Sequence, residues 1–202
     1  MPLTSTDCSS LVIDTLCDQA GLAVAWLYYD YNFQKEQTVI NIMGAILKRL
    51  VGSEIPEGIR KAFKEGRRLV LADLMRMLRI AIAKLPQVFI CIDALDECLP
   101  KDLPQLLESL RDIVRESPGT RIFLTGRPHV GEAIQKHFAK VVAIPISPAE
   151  GDIRSYVVMR LDRDEMPEAM NKGLRAEIVR IIVDKMANMC VGASPLSVMY
   201  TY

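Results

Sequence analysis

Net charge is the first thing this 202-residue sequence lacks: 25 lysines and arginines stand against 25 aspartates and glutamates. That balance gives no electrostatic case for non-specific binding to nucleic acid or to an anionic membrane. The short basic run from Arg60 to Arg68 reads as a solvated helix face. Long hydrophobic runs are missing too. The longest, Leu22 to Tyr29, has eight residues, too few to span a bilayer. Met1 to Ser10 holds neither a basic region nor an apolar block, so no secretory leader is expected there. Cysteine is sparse and unpaired in pattern: Cys8, Cys17, Cys91, Cys98 and Cys190 are odd in number and show no C-x-x-C spacing. This argues against a disulfide scaffold or a zinc site, and a reducing, cytoplasmic setting is expected. Cys91 lies inside an apolar run and reads as a small buried hydrophobe.

What is present has a globular balance, half hydrophobic and a quarter charged. Asp7 to Ala20 reads as a helix, with Leu11, Val12 and Leu16 on one face and Gly21 as a stop. Leu22 to Asp30 is a buried strand by its length and its Val, Trp and Tyr content. Thr38 caps a helix whose Val39, Ile42, Met43, Ile46, Leu47 and Leu50 recur at helical spacing. A short helix lies between Ser53 and Gly66. Another runs from Leu71 to Leu85 and is ended by Pro86. Val88 to Asp93 is a second buried strand, Arg121 to Thr125 a third and Val141 to Ile146 a fourth. Helices around Leu103–Val114 and Val130–Phe138 separate them, and two more follow around Ile153–Leu161 and Leu174–Met186. Fully apolar strands alternating with helices imply an α/β fold: a mainly parallel sheet with helices on both faces. A composition change near Pro145 to Pro148 marks the boundary to a helical appendage.

The chemistry concentrates after the second strand, in VFICIDALDEC, Val88 to Cys98. The strand delivers Asp93 to the carboxyl end of the sheet, where open α/β folds gather their ligands. Asp96 and Glu97 follow within a turn. Such close carboxylates repel one another, and Mg²⁺ would relieve them, because it favours one or two carboxylates with waters and phosphates. The alternative is that Asp96 and Glu97 cap and solvate the next helix. In IFLTGRPH, Ile122 to His129, Thr125 and Arg127 reach the same edge. Arg127 is either an exposed loop arginine or a phosphate-facing one, whose forked donors suit that geometry.

Together these segments resemble a known family. VFICIDALDEC is similar to the extended Walker B motif of NACHT domains, and IFLTGRPH to the sensor strand of STAND-class P-loop NTPases. SSLVIDTL (Ser9 to Leu16), the strand through Tyr28 to Asp30 and DIRSYV (Asp152 to Val157) resemble nephrocystin-like ATPase modules of filamentous fungi. The likeness runs from about Thr6 to Asn188. It implies a P-loop NTPase-like fold and a signalling module that binds ATP or GTP with Mg²⁺. By this resemblance Asp93 holds the metal through water, and Asp96 or Glu97 orients the attacking water. Thr6 stands at the metal-binding hydroxyl position, and Arg127 senses the γ-phosphate. The implied partners are a nucleotide and copies or relatives of the same module, with neither nucleic acid nor membrane.

The phosphate loop of such proteins, G-x-x-x-x-G-K-[ST], is missing. No Gly-Lys dipeptide occurs, the first glycine is Gly21, and no lysine or arginine precedes Lys35. The register that puts Thr6 on the hydroxyl position leaves Thr4 and Ser5 where glycine and lysine belong. Nucleotide binding is therefore expected to be weak or lost, and hydrolysis absent. The alternative function is a non-catalytic fragment that packs against full-length relatives. The first, central strand is also expected to be missing from between the third and fourth strands, so those two must close up or keep unpaired edges. The expected organisation is a partial core over 1–147, the start of a helical domain over 148–190 and an irregular tail over 191–202. The chain is expected to be truncated at both ends, without effector, winged-helix or repeat parts.

Overall fold

A computed structural model describes residues 5–146, 150–163, 171–192 and 197–201. In chain order the elements are helix α1 (Ser5–Cys17), strand β1 (Leu22–Tyr28), helices α2 (Val39–Val51), α3 (Glu57–Lys64) and α4 (Leu71–Ile82), and strand β2 (Gln87–Asp93). Helix α5 (Leu103–Glu116), strand β3 (Thr120–Gly126), helix α6 (Gly131–His137) and strand β4 (Val142–Ile146) follow. Helices α7 (Glu150–Asp162) and α8 (Lys172–Gly192) and strand β5 (Ser197–Thr201) complete the order. Single 3₁₀ turns occupy Tyr31–Phe33, Leu95–Glu97 and Pro128–Val130. The α/β class read from the sequence holds, and its parallel block flanked by helices is consistent with a P-loop-like arrangement.

The parallel block is β1-β2-β3, with Leu22 opposite Gln87, Tyr28 opposite Asp93 and Val88 opposite Thr120. Successive side chains along a strand point to opposite faces, and each face has its own cover. Val88, Ile90, Ile92, Ile122 and Leu124 pack under the stripes of α2, α4 and α5, where Ile46, Leu78 and Leu107 are almost fully buried. On the other face Phe89, Cys91 and Phe123 meet α1 through Ile13, Val12 and Leu16. Thr38 caps α2 as expected, accepting from the Asn41 amide. Between α1 and β1 the chain reverses through Gly21 at φ +87°, a conformation that glycine reaches without a Cβ penalty. Helices α7 and α8 form their own small cluster through Ile153, Val157, Val179 and Val183. The boundary expected at 147/148 falls on 147–149, outside the described residues.

The far end departs from expectation. Residues 191–202 read as irregular, yet α8 continues through Gly192, and Ser197–Thr201 form a strand. The sheet order is β1-β2-β3-β5-β4, so β5 fills the gap expected between the third and fourth strands. It runs antiparallel to both: Phe123 and Val142 flank Thr201, while Gly126 pairs with Val198 and Ile146 with Ser197. The sheet is therefore mainly parallel, as expected, with β5 its antiparallel member, and β3 and β4 neither close up nor face an empty position. The physical reason is local invisibility. A five-residue strand carries no helical period, and only two waiting strand edges select it.

Among the described cysteines, Cys17 is exposed and Cys91 and Cys98 are buried, and all three are free. Burial pushes the Cys91 thiol up to about 12 and raises that of Cys98 as well. A maleimide at pH 8 should therefore label Cys17 while sparing Cys91 and Cys98, because the thiolate is the nucleophile. Peptide mapping by mass spectrometry checks this; labelling of Cys91 at the Cys17 rate would contradict the burial of β2. Among the described residues, no helix is long and apolar enough to cross a membrane.

Candidate functional site

The site forms where the parallel strands end. Asp93 is the last residue of β2 and Thr125 the sixth of the seven in β3, and both point to the α1 face. Asp93 is only 3% exposed, and a buried carboxylate is costly unless it is hydrogen-bonded. Two hydroxyls meet it on one oxygen. Ser9 Oγ donates to Asp93 Oδ1 at 2.5 Å, and Thr125 Oγ1 donates to the same atom. One strand, its neighbour and the helix across the face are thus tied together at a single charged group. Bonds to an ionised acceptor are the stronger kind.

The backbone leaving β2 is strained at this point. Ala94 adopts φ 54°, ψ 46°, the left-handed region that a residue with a Cβ occupies at a cost of about 1–2 kcal/mol. Its amide donates to Thr125 Oγ1 at 3.1 Å, so the threonine accepts from the turn while donating to Asp93. The turn then buries Leu95 completely and swings Asp96 across the rim. Asp96 Oδ1 accepts from the Arg127 amide at 3.1 Å, and its Oδ2 lies 3.3 Å from Arg127 Nε. Gly126 lies beneath this contact: a Cβ there would touch Asp96 Oδ1 at 3.4 Å without a clash and would crowd Val130 Cγ2 at 3.1 Å. The Arg127 side chain is 70% exposed and that of Asp96 only 9%, so the guanidinium lies on the surface above a largely covered acid.

Of the residues singled out from sequence, Asp93, Asp96 and Arg127 assemble at one edge. Glu97 ends the 3₁₀ turn, and its carbonyl accepts from Gln34 Nε2 at 2.8 Å. The acids do not converge. Among the described residues, no group of three or more His, Cys, Asp or Glu is placed to hold a metal ion. Their mutual repulsion is relieved by hydroxyls at Asp93 and by arginine at Asp96. Thr6 lies in the first turn of α1, and its side chain is outside the described residues. The hydroxyl found on Asp93 belongs to Ser9, three residues further along α1. Sequence reading missed Ser9, although a position three residues on shares a helix face with Thr6 and could have been proposed with it. It missed Ala94 for a firmer reason: nothing in an alanine announces positive φ.

The family model described as nephrocystin 3, N-terminal, matches residues 5–127, which runs from the start of α1 to the arginine at the rim. No curated protein and no solved structure matches the chain. The matched stretch is more than half of the sequence and contains the whole parallel block with every residue of the site just described; the chain belongs to the nephrocystin 3 N-terminal family.

Proposed function

We propose that the chain is a degenerate NACHT-like nucleotide-binding module, which keeps the metal side of a nucleotide site, has lost the phosphate side and does not turn nucleotide over. The observation that carries this reading is Asp93, buried at the carboxyl end of β2 between the hydroxyls of Ser9 and Thr125. That donor set suits a hydrated Mg²⁺, which takes few protein ligands and keeps its waters. Asp93 would hold such an ion through water, with the Ser9 hydroxyl of α1 beside it. When bound, the ion would neutralise phosphate charge. The phosphate side does not fit. Helix α1 contains no basic residue, no Gly-Lys exists to supply a lysine, and the rim cation Arg127 is drawn to Asp96. Asp96 and Glu97 take part in no step, because among the described residues nothing positions a phosphate in line with them.

Each lost charge-assisted contact removes about 1.5–3 kcal/mol, one to two powers of ten in affinity. Calorimetric titration with MgATP and MgGTP should therefore show saturable binding no tighter than about 1 mM, without phosphate release. Asp93→Asn should abolish the magnesium-dependent part while the melting curve stays cooperative. Micromolar binding with phosphate release would overturn the loss of turnover. The absence of any binding up to ~10 mM, on the affinity scale used above, would favour the second reading, a non-catalytic module that packs against related chains. One observation supports that alternative: protein donors already engage both Asp93 and Asp96.

A further inference from the structure

Away from the rim, α2, α3 and α4 enclose an open depression of about 1010 Å³. Its floor is the flank of α2 formed by Ile40, Gly44 and Val51 over the buried core residue Leu47, with Ile55 and Leu69 on the walls. The core takes the adjoining side of the same helix through Val39, Ile42, Met43, Ile46 and Leu47. From Ile40 to Val51 this flank is roughly 16 Å long at 1.5 Å per residue, three helical turns. At Gly44 the floor is bare backbone: an added Cβ would meet nothing nearer than Leu74 Cδ1 at 4.0 Å.

Charge distinguishes this region from the rest of a neutral chain. Residues 48–68 hold seven basic side chains against three acidic ones; of the seven, Arg49 lies over the Trp26 ring, and Lys61 and Arg67 pair with Glu65 and Asp73 respectively. Lys48 and Arg68 lie in the groove lining, beside a single acid, Glu54, and among the described residues neither cation forms an ion pair. Large apolar groups also stand out here, with Phe63 87% exposed, Ile55 57% and Val70 54%. An apolar floor one helix long, rimmed by uncommitted cations, fits a ligand with an apolar ridge and an acidic back. We propose that this groove docks an acidic amphipathic helix of a partner protein, in the helix-in-groove mode. Concavity favours a helix over a lipid surface, since a flat bilayer does not reach the floor. The inference does not rest on the nucleotide reading, because α2, α3 and α4 contribute nothing to the site at the strand ends.

The test uses a fluorescein-labelled 18-residue peptide with leucine at helical i, i+3, i+4 and i+7 spacing and glutamate elsewhere. Controls are the same peptide with lysine for glutamate, and phosphatidylserine vesicles. Fluorescence anisotropy should show the glutamate peptide binding at least tenfold more tightly than the lysine peptide, and more weakly as salt rises. Lys48→Glu with Arg68→Glu should invert that preference. Gly44→Phe should weaken both peptides at least tenfold without lowering the melting temperature. Equal binding of the two peptides, no binding of either, an unchanged preference after charge reversal, or vesicle binding in place of peptide binding would each overturn the proposal.

Discussion

A chain that stops at residue 196 should lose its cooperative unfolding transition and precipitate at concentrations where the full chain stays in solution. Strand β5 is hydrogen-bonded on both sides, with four register partners on β3 and five on β4. Removing it strips the whole inner side of β4 and opens the edge of β3 from Phe123 to Gly126, where every residue is buried. Each buried backbone group left without a partner costs about 1–3 kcal/mol. A handful of them equals the roughly 5–15 kcal/mol that holds an ordinary domain together. The newly open edge is also a template for pairing with other chains. A milder form of the experiment is Met199→Pro. Met199 pairs with Thr125 on one side and Ile144 on the other, and proline in a central strand removes a donor and is not accommodated. The carbonyl left without its donor should by itself cost about 1–3 kcal/mol. Because the same strand clamps Thr125 and Gly126, hydrogen exchange should rise at the rim as well as in β4. An unchanged melting temperature in both variants would mean that β5 does not close the sheet.

The second large effect belongs to Asp93. Asp93→Ala takes the carboxylate from Ser9 Oγ and Thr125 Oγ1, whose residues are each only 1% exposed. At about 1–3 kcal/mol for each hydroxyl that loses this acceptor, the loss should be about 2–6 kcal/mol. Asp93→Asn keeps an acceptor oxygen but brings amide donors against two hydroxyls, so it should cost less. The hydroxyls can be tested through the same acid. Ser9→Ala and Thr125→Val are each expected to destabilise, and each effect should shrink sharply when Asp93 is already alanine. A coupling above about 1 kcal/mol in urea-denaturation cycles is the mark of one connected network. Additive effects would show that the three side chains are neighbours without being a unit.

These expectations show where sequence reading was sufficient. The parallel core was legible because its signals are local and strong. VFICID is too apolar to face water on either side, and Thr38 with the stripe from Val39 to Leu47 leaves α2 little alternative. The acids and Arg127 were legible as a group because strand ends in such folds share one edge. The partners of those acids were not. Ser9 lies 84 residues from Asp93 and Thr125 lies 32 residues from it, and no spacing rule spans such separations. The left-handed turn at Ala94 and the close approach at Gly126 arise only once β2 and β3 stand side by side.

By itself, then, the sequence determined the class of fold, the order of its helices and parallel strands and the edge that carries the charged residues, because burial and periodicity act over a few residues at a time. Tertiary structure alone decided which hydroxyls share Asp93, how Asp96 and Arg127 meet, and that the five residues Ser197–Thr201 enter the sheet between β3 and β4. Those outcomes depend on hydrogen-bonding groups that become neighbours only after the chain has packed.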